Sequence, residues 1–268
     1  MKSNSIKYIV LFIYLLLLLI PIYWMLNISL KPNIETQTKI TYFPETFTFV
    51  SYGKIFSSSQ WRLTFLQTFA YVLINVGIVM LVSIPAAYAF SRHDFWAKNH
   101  LFFWLLTNRM APGAAFVLPI FILFSELRLT DNILGVSLAH CLFNIPLAIW
   151  ILEGFMSAIP KQIDETAFID GYGFFGFFRK IFLPLIAPGL GVTAFFSFMF
   201  SWVELLLSTT LTSVKVKPIA ATLSISLSAA GWDWGVIAAA GVLTMIPGAI
   251  VIYFVRDYMV KGFSLGRV

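Results

Sequence analysis

An all-α bundle of six membrane-spanning helices is the fold class this sequence predicts, and three observations predict it. The 268 residues are 59% hydrophobic and 11% charged, with a mean hydropathy of +0.87, whereas soluble domains carry about 25% charged residues. The apolar residues gather in six stretches, each near the roughly 20 residues a helix needs to cross a hydrocarbon core about 30 Å thick. These runs are continuous and do not alternate, which excludes a membrane barrel and leaves helices as the structures that satisfy their own backbone in lipid.

The stretches lie at about 8–30, 66–90, 100–126, 132–156, 184–211 and 233–257. The first follows Lys2 and Lys7, as a secretory leader would, but it runs on through Pro21 and Trp24 to Leu30 without a small-residue cleavage site, which predicts a retained helix. Each stretch contains proline: Pro21, Pro85, Pro112 with Pro119, Pro146, Pro188 and Pro247. A proline inside a helix removes one backbone bond and crowds the preceding turn, so kinked or locally opened helices are expected, in keeping with a protein that changes shape. The whole chain forms a single transmembrane domain, residues 1–268.

Placing both termini in the cytoplasm gives that side the larger share of Lys and Arg, including Arg92, Lys161, Arg179, Lys180 and Arg256, although Lys31, Lys39, Lys54 and Arg62 make the first external loop basic too. The net charge of +6 then faces anionic membrane lipid and not nucleic acid, for which no basic motif with interleaved aromatics is present. Cys141, the one cysteine, is expected to be a small apolar filler inside the fourth span. His93, His100 and His140 are scattered, and they suggest neither a metal site nor a nucleophile, so no cofactor is expected.

A charge at the centre of a membrane helix costs roughly 2.5–3.5 kcal/mol on insertion scales. Arg109, in TNRMAPG, stands about nine residues into the third stretch, ~14 Å at 1.5 Å per residue. It must face protein or water, either lining a solute path or paired structurally. Asn108, Asn75 and Asn144 are uncharged groups able to bind a solute or to join helices. Glu126, Glu153 and Glu204 sit near span ends.

One polar island, about 157–183, interrupts the pattern. Asp164 and Glu165 near its start complement a helix dipole, and Ile163 and Ala167 share a helical face. Asp170-Gly171 signals a turn. Phe174, Phe177, Phe178 and Ile181 then follow the i, i+3, i+4, i+7 spacing of an amphipathic helix, with Arg179 and Lys180 directed elsewhere. Two readings stand open on these grounds: an anchor resting on lipid, or a docking element for a soluble partner.

The island's spacing carries a resemblance. Glu165-Thr166-Ala167, three residues, Gly171, nine residues, then Ile181-Phe182-Leu183-Pro184 is similar to the EAA loop of ABC importer permeases, departing only at Thr166 where alanine is usual. Similarity extends from about Tyr52 to the C-terminus. RMAPGAAFVLPIFILFSELRLTDNILGV, SWVELLLS (with Trp202 and Glu204 kept and Val203 in place of asparagine) and WDWGVIAAAGVLTMIPGAIVIYFVRDYMVKGFSLGRV resemble elements of the carbohydrate-uptake subfamily, the maltose-importer second-permease type.

The resemblance implies a six-transmembrane-helix type I ABC importer permease with a cytoplasmic coupling helix, in a prokaryotic plasma membrane. Its partners would be a second homologous permease, two cytoplasmic ATPase subunits and an external solute-binding protein. The ATPase-coupling residues would be Asp164, Glu165, Thr166, Ala167, Asp170, Gly171, Phe174 and Phe178, and the tail from Lys261 to Val268 would add a cytoplasmic contact. The loops Lys31–Arg62 and Thr212–Trp232 would face the binding protein. Arg109, Asn108, Asn144 and Glu204 are the candidates for the solute path. The solute would be a sugar or polyol, with phenylalanine-rich spans (28 Phe in the chain) reminiscent of glycerol importers. No G-x-x-x-x-G-K-[ST] phosphate loop occurs, so ATP hydrolysis falls to other subunits and the chain is not itself an enzyme. The alternative, a secondary transporter acting without an ATPase, predicts inverted repeats and embedded carboxylates that the sequence does not display.

Overall fold

A computed structural model describes residues 2–110, 112–228 and 233–265, and every element among them is helical. In chain order these are α1 (Lys2–Ser29), α2 (Asn33–Thr38), α3 (Val50–Ser57), α4 (Ser59–Arg92), α5 (Lys98–Met110), α6 (Gly113–Glu126) and α7 (Ile133–Ser157). They continue as α8 (Gln162–Ile169), α9 (Phe174–Phe177), a π-helical turn (Phe178–Phe182), α10 (Leu183–Leu185), α11 (Ala187–Val203), α12 (Leu206–Leu211), α13 (Ile219–Ser228) and α14 (Trp234–Leu265). Parts of the expected contact segments, at 229–232 and 266–268, lie outside the described residues.

Among the described residues four helices are long and apolar enough to span a membrane: Ile6–Ser29, Ser59–Arg92, Ile133–Ser157 and Trp234–Tyr258. Two bent pairs raise the number to as many as 6 if each pair is one span: α5 with α6, turned by 98°, and Phe174–Leu185 with α11, turned by 74°. The stretch expected as one helix at 100–126 is therefore divided. Pro112 stands just before α6 in an extended conformation (φ −64°, ψ 118°), and it has no N–H with which to continue α5. The stretch at 184–211 is divided as well, because Glu204 turns extended (ψ 120°) at the end of α11 and helix resumes only at Leu206.

Of the prolines expected to kink or locally open a helix, Pro112 stands at a break, and the others are accommodated within helices. Pro21, Pro85, Pro119, Pro146 and Pro247 all lie inside continuous helices, and Pro188 occupies the first turn of α11, where its missing N–H costs nothing. Neighbouring groups in a bundle take up the carbonyls that such prolines free.

The chain divides into two compact units, Met1–Phe65 with Ala221–Gly248, and Leu66–Ala220 with Ala249–Val268. In the first unit, Ile55, Ala239 and Ala240 form a core against Tyr52, Trp61, Phe65 and Leu243. The polar segment after α1 is wound around the buried Glu35. Its carboxylate accepts from the Glu45 N–H (3.0 Å), the Thr41 hydroxyl (2.8 Å) and the Thr46 N–H (3.4 Å), and the Lys31 ammonium lies 4.0 Å away. The Glu45 N–H leads in lowering the Glu35 pKa, and with these other partners it outweighs the opposing effect of burial.

In the second unit α7 is the central helix, with more than half of its span window buried (56%). Polar side chains join it to α4 and α11. Asn75 donates to the Ser137 carbonyl (2.9 Å), Asn144 donates to Asn75 Oδ1 (2.8 Å) and the Ser197 carbonyl (3.3 Å), and Ser137 donates to the Tyr71 carbonyl (3.0 Å). Interhelical hydrogen bonds of this kind hold bundles together where lipid removes the hydrophobic drive. At the start of α7 the Asn132 side chain caps Leu134 N (2.8 Å), and Gly135 is required because a Cβ there would fall 1.8 Å from the Leu129 carbonyl oxygen.

Just before α7, Asp131 (φ 53°) gathers the loop that follows α12. Its carboxylate accepts the N–H groups of Ser213, Val214, Lys215 and Val216 at 3.0, 3.2, 2.8 and 3.0 Å. Partial burial would raise its pKa, but these four N–H donors prevail and hold it well below the usual carboxylate range.

Candidate coupling element and solute cavity

The segment from α8 to α10 presents one face inward and one outward. Ala167, Phe177 and Phe182 are buried together with Leu152 and Met156 of α7 and Ala87 and Tyr88 of α4. Tyr88 meets Phe174, Phe178 and Phe182 edge-on, with ring centroids 5.0–5.7 Å apart. Phe178, half-buried, stacks between Phe174 and Phe182. The π-helical turn at Phe178–Phe182 adds a residue to the helical ladder, the kind of bulge that often marks a working segment.

Gly171 reverses the chain between α8 and α9. With φ +85° it accepts the left-handed conformation, donating its N–H to the Phe168 carbonyl (3.1 Å) while Tyr172 N–H reaches the Ala167 carbonyl (3.1 Å). This is a Schellman closure, for which glycine is the favoured residue. Glu165, Thr166 and Asp170 are left exposed, together with Ile169 (85%), Phe175 (85%) and about half of Phe174 (48%).

Asp164, expected among the coupling residues, faces the other way. Its side chain is buried against Arg92 at the end of α4, with Arg92 Nε 2.8 Å from Oδ2 and Nη2 3.3 Å from Oδ1. The Tyr88 hydroxyl donates to the same Oδ2 (3.3 Å). Ala167 also points into the core, so the candidates separate into an outward set (Glu165, Thr166, Asp170, Phe174) and an inward one (Asp164, Ala167, Phe178), hinged on Gly171.

A cavity of about 220 Å³ is lined by Arg109, Gly113, His140, Phe143, Asn144, Phe200 and Glu204. Of the solute-path candidates it brings together Arg109, Asn144 and Glu204, while Asn108 is half-buried and outside the lining. The Arg109 guanidinium lies over the Phe200 ring, 4.3 Å from its centroid. Glu204 bridges the break in the fifth stretch. Its two oxygens accept the N–H groups of Leu207 and Ser208 (2.9 Å each), and His140 Nε2 lies 3.2 Å from Oε2. His140 Nδ1 is 2.7 Å from the Ser201 hydroxyl.

His140 carries no signal of a site in the sequence, where the histidines are scattered along the chain. Its partners Ser201 and Ser208 lie 61 and 68 residues away, and the only local hint is the regular recurrence of small polar residues in α11 and α12. The Asn144 amide nitrogen is already engaged by Asn75 and Ser197, which leaves Arg109 as the strong donor facing the cavity. Among the described residues no cluster of His, Cys, Asp and Glu could hold a metal ion.

A helical multi-span bundle with a polar-lined cavity between its helices and a separate polar element built on their ends is the arrangement of a membrane permease. Residues 79–265 match the family described as "Binding-protein-dependent transport system inner membrane component", and the chain belongs to that family. It is similar to the trehalose transport system permease protein of Mycobacterium tuberculosis (strain CDC 1551 / Oshkosh), at 32% identity with 93% of this chain and 92% of the relative covered. It is also similar to the sulfoquinovosyl glycerol transport system permease protein of Agrobacterium fabrum (strain C58 / ATCC 33970), at 28% identity with 92% and 88% covered. A chain in the crystal structure of a bacterial ABC transporter involved in the import of the acidic polysaccharide alginate shares the fold, with a TM-score of 0.80, 20% identity and 96% of both chains covered. The chain is thus a permease subunit of an ABC importer that moves a solute across the membrane, and the ATP-hydrolysing activity resides in other subunits.

Proposed function

We propose that this permease works as one of a pair, moving a carbohydrate or a glycosylated polyol inward by alternating access, with α8 and α9 as the helix pair that docks on an ATPase subunit. The observation that carries the reading is the two-faced geometry of that pair: a base of Ala167, Phe177 and Phe182 in the core, and an outward surface that alternates carboxylates (Glu165, Asp170) with uncovered apolar groups (Ile169, Phe175). Large apolar side chains held out beside charges mark a protein interface in a segment that is too polar to span. On this reading α5 with α6 make one span and α11 another, which with α1, α4, α7 and α14 gives six with both termini in the cytoplasm. The second permease, two ATPase subunits and an external binding protein complete the importer. Arg109 with Phe200, and secondarily Asn108, Asn144 and Glu204, supply the solute path. Aromatic faces beside convergent donors suit a sugar ring, and the relatives named for trehalose and sulfoquinovosyl glycerol transport favour a glycoside over free glycerol.

Reconstitution into liposomes with the partner subunits tests this directly. ATP-dependent uptake of a sugar, selected by thermal stabilisation of the binding protein across a panel of sugars and polyols, is the expected result. Equal uptake by this chain with no ATPase present would establish the secondary-transporter alternative instead.

A further inference from the structure

We infer that Arg92 and Asp164 are positioning residues that lock the coupling helix α8 to the ends of α4 and α7, so that displacement of α8 is transmitted to the spans as rigid-body motion. The inference rests on the reading of α8 as the ATPase-docking helix, and it removes Asp164 from the docking surface.

One guanidinium carries the argument. Arg92, the last residue of α4, makes a two-pronged ion pair with Asp164 of α8 (2.8 and 3.3 Å). Its Nη1 donates to the carbonyls of Met156 and Ile159, both at 3.0 Å, at the end of α7 and just beyond it. Its face lies 5.0 Å from the centroid of Phe182, on the way into α11. Four segments of the chain therefore meet at one side chain. Lys161 closes the arrangement by donating to the Arg92 carbonyl (3.2 Å).

The pair is out of water, its side chains 5% and 10% exposed. A buried ion pair of this kind seldom adds net stability over apolar residues of the same shape, because desolvation offsets the attraction. What the planar fork supplies is fixed geometry: two parallel bonds to a carboxylate define an angle as well as a distance, and lysine cannot reproduce it. The base of α8 is also packed on Leu152, Met156 and Ala87. Apolar packing permits sliding, whereas the Arg92 bonds resist it.

The test uses the full importer, coexpressed with its partner subunits and carrying spin labels at Gln162→Cys in α8 and Leu81→Cys in α4 in a Cys141→Ala background. Both label sites are exposed. ATP with vanadate, added together with the external binding protein so that the ATPase turns over, traps the closed ATPase. With Arg92 and Asp164 intact the interlabel distance is expected to hold within about 2 Å between the nucleotide-free and trapped states, less than one helical turn of slippage. In Arg92→Lys and in Asp164→Asn, with ATPase subunits still copurifying, the distance is expected to shift or broaden on trapping. An unchanged distance in both variants would overturn the inference, as would a large shift in the intact protein. Loss of ATPase copurification in both variants would assign the pair to folding alone and overturn it too. If the unsubstituted chain fails to bind ATPase subunits, the docking reading beneath it falls instead.

Discussion

Asp131 shows how one side chain can hold two distant loops. Its carboxylate takes four consecutive N–H groups from 213–216, and its own N–H donates to the Leu211 carbonyl (2.6 Å). Because its folded pKa is depressed, its contribution to stability is full above the ordinary aspartate value of about 3.9 and is lost as pH falls through the lowered native value. Asp131→Asn should destabilise the fold at neutral pH by about 1.5–3 kcal/mol for a charged acceptor lost, read as a lower thermal midpoint of the purified complex. The gap between variant and parent should persist at pH 5 and narrow in stronger acid. An equal gap at every pH would show that shape and not charge matters there. Glu204→Gln is expected to loosen the turn between α11 and α12, by about 1 kcal/mol for a weakened helix cap, measured as a lower midpoint with assembly retained. Side chains like these mark the limit of what sequence can disclose. Asp164 and Glu165 are adjacent and equally acidic, and helix-dipole reasoning treats them alike. Arg92, which separates them into an inward strut and an outward group, lies 72 residues from Asp164, a pairing that local spacing has no means to reveal.

At the scale of elements, periodicity and punctuation were informative wherever a local cause determines the structure. The turn at Asp170-Gly171 is visible in the sequence, since a positive φ follows from residue type, whereas of the stripe Phe174, Phe177, Phe178 and Ile181 only Phe177 is fully buried, and the π-helical turn brings Phe182 inward beside it. The divisions of the third and fifth stretches were hidden. Hydropathy does not distinguish a helix from a helix with one extended residue, and proline marks a division only at Pro112, while five helices run through theirs. Gly171→Ala places a Cβ at φ +85°, a cost of roughly 1–2 kcal/mol. The expected outcome is normal expression with weakened ATPase copurification, as the angle between α8 and α9 relaxes. Gly135→Ala is a contrasting case: the new methyl meets backbone at 1.8 Å, so loss of folded protein in detergent is expected, read by size-exclusion profile.

For the molecule as a whole, composition alone was enough to place the chain in a bilayer, since 11% charge cannot cover a soluble surface. The solute is the least legible property. Cavity-lining groups come from α5, α6, α7, α11 and the break after α11, and only the fold assembles them. Arg109→Ala is expected to reduce uptake about 10-fold or more if the guanidinium binds the solute, while binding-protein affinity for the solute stays unchanged. Uptake at the parent rate would remove Arg109 from the path.

The outward Ile169 and Phe175 have a consequence for the life of the chain before assembly. On the docking proposed for α8 and α9, these two large apolar side chains would stay uncovered, on a segment broken by Gly171 and Gly173, until an ATPase subunit arrives, and exposed apolar groups of this kind mark a protein for chaperones and proteases. An unassembled subunit would thus signal its own incompleteness, and its abundance in the cell would be tied to that of the ATPase.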